Sequence, residues 1–350
     1  MDKVMHRFKI DLQDVNDFIP KLAAQFKIGY RCKLSEYTLF IPNSLGKGKI
    51  TAINFYNGLG LYTFQCTFKE EVEMELRNVV TNPVRLVHCL NGKVINSHTG
   101  LGEEIEIGNH EHYFIAPKSG ESHVMTFPAN TEVELCYIEI DRIKFKKSLP
   151  FKLSEVEPLF YTLFGDVNAL QGKYHSGKFS LKVSDIIREV FNCEETGFPR
   201  INFLRAKSLE ILSYMLSRYR KEKDGDVYQN LSRRDYKAVD RVSEHINQNL
   251  KNLETNPQLA RMAGMNLNKL QRAFQTIYGQ TLNEFIRDGR LSRALSLLSE
   301  GEKTISEIVE EIGLNSRSYF SKIFKNKYGV LPREIQKHES SMFLQEGETI

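Results

Sequence analysis

The chain has 350 residues, with 48 Lys plus Arg against 44 Asp plus Glu, a formal charge of +4, 41% hydrophobic and 26% charged residues. That balance is ordinary for a globular protein and the length suffices for two domains with cores of their own. No run of 18 apolar residues occurs, which excludes a membrane span, and the five cysteines are scattered without a CxxC, which excludes zinc-finger chemistry and fits a reducing cytoplasm.

The first residues, Met1 to Asp14, mix charges with isolated apolar residues and lack the apolar core of a secretory leader. From about Ile50 to Ile143 the pattern has period two. Val72, Met74 and Leu76 alternate, as do Val84, Leu86, His88 and Leu90, and Val133, Leu135 and Tyr137. Asn91-Gly92 between two such runs predicts a type I′ hairpin. Further turn signals at Asn57-Gly58, Pro117 to Gly120 and Pro128 to Asn130 predict a small β-barrel or sandwich.

His110 and His112 lie two apart on an expected strand, which would turn both to one face. His88, His98 and His123 share the domain. A His-x-His pair with a carboxylate and a later histidine holds metal in some barrel enzymes. No Glu follows at the usual offset, so the expectation is no metal, no cofactor and no enzyme; a metal-dependent barrel enzyme fused to helices is the alternative.

From Leu153 the pattern is helical. Ile201 to Tyr219 carries Leu204, Leu209, Ile211, Leu212, Met215 and Leu216, a broad apolar face that would cover the barrel and suit a partner subunit in a homodimer. Lys221 to Asp235 is charged, contains Gly225 and has no apolar period, so it reads as a linker between domains at 1–220 and 236–337. Residues 338–350 read as a polar tail.

Within 236–337 one pattern occurs twice. Leu259 to Asn266, then Leu270, Phe274 and Tyr278-Gly279, matches Ile308 to Asn315, then Phe320, Phe324 and Tyr328-Gly329. Each copy predicts a short helix, a turn at Gly264 or Gly313, and a second helix capped by Asn266 or by Asn315-Ser316. Leu267, Leu270, Phe274 and Ile277 form the inward stripe of the first second-helix, and Phe320, Ile323, Phe324 and Tyr328 that of the other. Outside lie Asn268, Gln271, Arg272 and Gln275 in one copy, and Arg317, Ser318, Ser321, Lys322 and Lys325 in the other. Such side chains read base edges when a helix-turn-helix enters a DNA major groove. One copy alone would equally describe a helical bundle with a polar surface; two copies in register favour double-stranded DNA as partner. Leu282 to Leu298 reads as one helix between the copies. Residues 236–337 hold 16 Lys plus Arg against 11 Asp plus Glu, so the positive excess of the chain lies here.

These residues resemble the DNA-binding domain of the AraC/XylS family of bacterial transcription regulators. The likeness is carried by Leu259-Ala260, Leu270-Gln271-Arg272, Tyr278 to Thr281, Arg290-Leu291, Ile305 to Ile308, Ser318 to Ser321, Phe324-Lys325, Gly329 and Pro332. Val309 and Leu314 depart from the usual alanine and phenylalanine, which affects packing more than readout. The resemblance implies an α+β chain: a cupin-like N-terminal barrel with appended helices that binds a small effector, then two helix-turn-helix units joined by a rigid helix. It assigns base reading to Asn268, Gln271 and Arg272 in one unit and to Arg317, Ser318 and Lys322 in the other. Lys269, Lys325 and Lys327 would meet phosphates. RNA polymerase is the further partner if the protein activates. Arg205 to Leu212 and Pro42 to Gly60 are also similar to segments of siderophore-responsive, pyochelin-regulator type members.

Overall fold

Eight residues at the start, Met5–Leu12 (β1), pair in parallel with Glu71–Asn78 (β6), so the chain closes its first sheet across a long excursion. The computed structural model describes residues 5–13, 15–100, 104–177, 179–223, 231–278 and 280–336. Two units separate, residues 1–227 and 228–350.

In the first unit β1 leads into the helix Phe18–Phe26 (α1), then the strands Arg31–Lys33 (β2), Glu36–Phe40 (β3), Gly46–Phe55 (β4) and Leu59–Phe68 (β5). After β6 come Val84–Asn91 (β7), Val94–His98 (β8), Ile105–Ile107 (β9), His112–Ala116 (β10), His123–Phe127 (β11) and Glu132–Ile140 (β12). The helices Arg142–Ser148 (α2) and Pro158–Phe164 (α3), the strand Lys173–Gly177 (β13) and the helices Leu181–Phe191 (α4) and Gly197–Lys223 (α5) complete it. Among the described residues five strands form one sheet in the order β1-β6-β11-β8-β9, and eight form the other in the order β13-β10-β7-β12-β5-β4-β3-β2.

The period-two pattern explains how the layers stack. Val72, Met74 and Leu76 point inward from β6, while Glu73 and Glu75 point to water beside Arg7 and Lys9. The smaller sheet therefore buries one face. The larger sheet buries both: Val133, Leu135 and Tyr137 of β12 face the first sheet, and Cys136, Ile138 and Ile140 face α3, α4 and α5. The space between the sheets is filled. Tyr62 stacks on Tyr137 at 4.3 Å, Phe64 meets Phe127 at 5.4 Å, and Phe18 of α1 sets its edge on Tyr62. Each such ring contributes about 1.5–3 kcal/mol by burial.

Two local expectations are corrected. Asn91-Gly92 does turn, with Gly92 at φ +81°, but β7 and β8 join different sheets, so there is no hairpin. Every residue of β7 from Val84 to Leu90 is buried, and only a central place in the larger sheet covers both of its faces. His110 is not on a strand: at φ +66° it sits in a turn, its N–H donating to Cys89 O, and β10 begins at His112.

The helical region matches the expected segment but runs longer, from Gly197 to Lys223. The ends of the segment read as a linker, 221–235, are also helical: Lys221 to Lys223 belong to α5, and Arg233 opens the next helix. Residues 224–230 of that linker, like the polar tail, lie outside the described residues. Among the described residues no helix is long and apolar enough to cross a membrane.

Candidate nucleic-acid interface

Among its described residues the second unit is helical: Arg233–Gln248 (α6), Asn256–Met262 (α7), Leu267–Tyr278 (α8), Leu282–Glu300 (α9), Ile305–Glu311 (α10) and Arg317–Tyr328 (α11). Both helix pairs begin with the same device. Thr255 and Gln258 cap α7 reciprocally, and Thr304 and Glu307 do so for α10. Each short helix ends at a glycine with positive φ, Gly264 at +65° and Gly313 at +70°. Asn266 Oδ1 then accepts from Lys269 N at 2.8 Å, and Ser316 Oγ from Tyr319 N at 3.2 Å, starting α8 and α11.

Inward, Leu270, Ala273, Phe274 and Ile277 of α8 are buried, and Phe274 meets Phe285 of α9 edge-on at 5.2 Å. Phe320 and Phe324 of α11 are buried against Leu291, Ala294, Leu297 and Leu298 of α9 and Ile308, Val309 and Ile312. The 19-residue α9 thus serves both units, Leu282 and Ile286 near its start and the leucines further on. Its length is about 28 Å.

Outward, Asn268, Gln271 and Arg272 are exposed on α8, and Arg317, Ser318, Lys322 and Lys325 on α11. Among the described residues Arg272, Arg317, Lys322 and Lys325 hold no ion pair, leaving their charge for a partner. A concavity of about 660 Å³ runs beside α8, lined by Leu231, Asn268, Lys269, Arg272, Gln275 and Thr276.

Two of the three lysines expected to meet phosphate are otherwise engaged. Lys269 Nζ lies 2.7 Å from Asp235 Oδ1 of α6, and Lys327 Nζ lies 3.1 Å from Asp288 Oδ1 of α9. Lys327 stands in the slot that buried Ile277 fills in the first copy, which is why it turns toward α9. Sequence reasoning missed both carboxylates, and Tyr319, 51% exposed beside Ser318. No spacing rule links Asp235 to Lys269 across 34 residues; the outward place of Tyr319 was legible, because it precedes the inward Phe320.

His88, His110, His123 and His175 of the first unit are hydrogen-bonded to protein side chains. Ser184 donates to Ser180 O, so its Oγ accepts from His88 Nε2 at 2.8 Å and His110 Nδ1 at 2.9 Å. His123 Nε2 is 3.0 Å from Asn96 Oδ1, and His175 Nε2 is 2.7 Å from Glu222 Oε2. Burial holds His88 and His123 well below the ordinary imidazole range. For Glu222 burial acts upward, but His112 and His175 prevail and hold its carboxyl well below the usual range.

Fold and outward face together define a DNA-binding regulator with two helix-turn-helix units. The family model described as "Helix-turn-helix domain" matches residues 259–338. The chain is 33% identical over 98 residues to the regulatory protein SoxS of Salmonella typhimurium, covering 28% of this chain and 88% of SoxS. It belongs to the AraC family of transcription regulators. The transcriptional activator RhrA of Rhizobium meliloti is 41% identical over 71 residues, 19% of this chain and only 23% of RhrA. A solved structure of a probable AraC family regulator from Rhodopseudomonas palustris aligns at 26% identity and TM-score 0.28, over 29% of this chain and 97% of that one.

Proposed function

We propose that this chain is a sequence-specific, cytoplasmic regulator without catalytic activity, whose α8 and α11 read bases from successive major-groove segments. Asn268, Gln271 and Arg272 serve the first segment, and Arg317, Ser318 and Lys322 the second, with Lys325 on phosphate. The observation that carries this is the pair of capped helices presenting Arg272, Arg317 and Lys322, without an ion pair among the described residues, in outward slots while Phe274 and Phe324 face in. Arg and Lys suit guanine O6 and N7, and Asn or Gln suit adenine N6 and N7. Selection of bound duplexes from a random pool, followed by sequencing, tests it. A recovered site with two conserved segments about one helical turn apart is the expected result. An unenriched pool overturns the reading.

The first unit takes a small effector and associates with a second copy. Exposed Phe198 and Leu209 on α5 support the second copy. The relation to RhrA, a transcriptional activator by name, supports RNA polymerase as a further partner. The hydrogen bonds that engage His88, His110, His123 and His175 support a binding role for this unit over metal-dependent catalysis. Thermal-shift screening of small molecules against the full chain tests the effector.

A further inference from the structure

Lys269 projects from α8 toward the start of α6, where its ammonium meets Asp235 at 2.7 Å. The second oxygen of that carboxylate accepts from Ser232 N at 2.8 Å and Ser232 Oγ at 2.9 Å. Asp235 is thus fixed from three directions. Its side chain is 10% exposed, against 41% for Lys269. The lysine pair of the second helix-turn-helix stands at a different slot and differs in kind: Lys327 and Asp288 are 33% and 38% exposed and stand 3.1 Å apart.

Burial decides how each pair behaves beside DNA. An exposed pair contributes little in solvent, so a phosphate can draw Lys327 away from Asp288 at small cost. Drawing Lys269 away would leave a fixed, mostly buried carboxylate uncompensated next to the polyanion, which is strongly unfavourable.

We propose that Asp235 is an affinity-setting residue, an internal stand-in for a DNA phosphate that keeps Lys269 in the bound state. This rests on the reading of α8 as the DNA-facing helix. The first helix-turn-helix then docks with one phosphate contact fewer than its sequence offers. Phosphate contacts carry no sequence information, so silencing one weakens binding to all DNA alike and leaves discrimination to Asn268, Gln271 and Arg272.

The test compares the full-length chain with D235N, K269M and D235N/K269M on two probes, a mixed-sequence duplex and the duplex recovered by selection. The readout is the slope of log binding constant against log salt. In D235N an amide oxygen remains for Ser232, so the start of α6 is kept, and the freed Lys269 steepens the slope by about 0.9 on both duplexes. Over a fourfold rise in salt, that is roughly 3.5-fold more affinity lost than for the unmodified chain. The added slope disappears in D235N/K269M, which matches the unmodified chain because the pair is neutral in both, while K269M alone binds both duplexes more weakly because it bares the Asp235 carboxylate to the polyanion. A D235N/K269M slope shallower than that of the unmodified chain by about 0.9 overturns the proposal, because Lys269 of the unmodified chain then leaves Asp235 for phosphate. So does a D235N slope that does not change. If D235N does not fold, D235N/K269M, which removes both charges together, decides alone. Should the unmodified chain bind neither duplex, the DNA-facing reading of α8 itself falls, a result distinct from both.

Discussion

Arg85 and Glu139 stand directly opposite one another on β7 and β12, Nε 2.6 Å from Oε2, with side chains only 0% and 3% exposed. Asn78 Oδ1 accepts from the second guanidinium nitrogen, and Tyr62 O–H donates to the carboxylate. Removing one charge strands the other in an apolar wall. Glu139→Leu is expected to cost about 3–5 kcal/mol, whereas the double change Arg85→Met with Glu139→Leu restores most of it. Denaturant unfolding of the full chain measures both. Equal losses in the single and double variants would show that the pair holds the sheet in some way other than charge compensation.

Acid should loosen the first unit. His88 and His123, fully buried, are held neutral with values well below the ordinary 6.5. Their folded-state values are depressed, so the unfolded chain takes up protons the folded chain refuses. The stability they contribute is whole above about pH 6.5 and is lost as pH falls below it, by up to about 1.4 kcal/mol per pH unit for each group. Glu222 acts in the same direction at lower pH, since its folded value lies below the ordinary 4.5. Melting temperature recorded from pH 7.5 to 5.5 checks this, and a flat profile would contradict neutral, buried imidazoles.

Gly264 and Gly313 share a role and a backbone angle, yet they should tolerate alanine differently. Around Gly264 an added Cβ meets nothing within 4 Å, so Gly264→Ala costs only the left-handed conformation, about 1–2 kcal/mol. At Gly313 the same atom would come 2.5 Å from Leu250 O and 2.6 Å from Lys251 O, so the loop between α6 and α7 must shift. Gly313→Ala is expected to lose at least twice as much. Circular dichroism melts of the two variants decide; similar losses would show that this loop yields freely.

Arg272→Ala and Lys322→Ala should relax base preference at separate positions of the selected site. Each residue stands two places before the inward phenylalanine of its unit. A good base contact is worth about 1–3 kcal/mol of discrimination, whereas a lost phosphate contact weakens all sequences alike. Repeating the selection with each variant tells them apart. Weaker binding with an unchanged motif would make these residues anchors rather than readers.

The helix-turn-helix units were legible in the sequence because every determinant is local: a cap, a glycine, and inward residues three or four apart, all within about 20 residues. The first unit was legible only as a class. Alternation marks Val72, Met74 and Leu76 as one face of a strand, but nothing in those letters names Phe127 as the partner of Val72 in the sheet. Asn91-Gly92 misled for the same reason, since the turn obeyed local chemistry and the strands obeyed burial. The family slots point Lys269 and Lys327 toward phosphate, and nothing local in the sequence shows the ion pairs that engage them here. Their carboxylates come from α6 and α9, and ion pairs across helices have no period to betray them.

The pairing of β1 with β6 bears on the order in which the chain acquires its structure. Residues 5–12 must wait for 71–78, and β5 must wait for β12 at 132–140 before the larger sheet can join. In the second unit α7 meets α8, α8 meets α9, α9 meets α10 and α10 meets α11, each with its neighbour in the chain. Folding rates fall as contacts become more distant in sequence, so the helical half is expected to form in microseconds to milliseconds and the sheets in milliseconds to seconds. The half that leaves the ribosome first is therefore the slower one, and the helices that emerge behind it can be complete while its last strands are still finding their places.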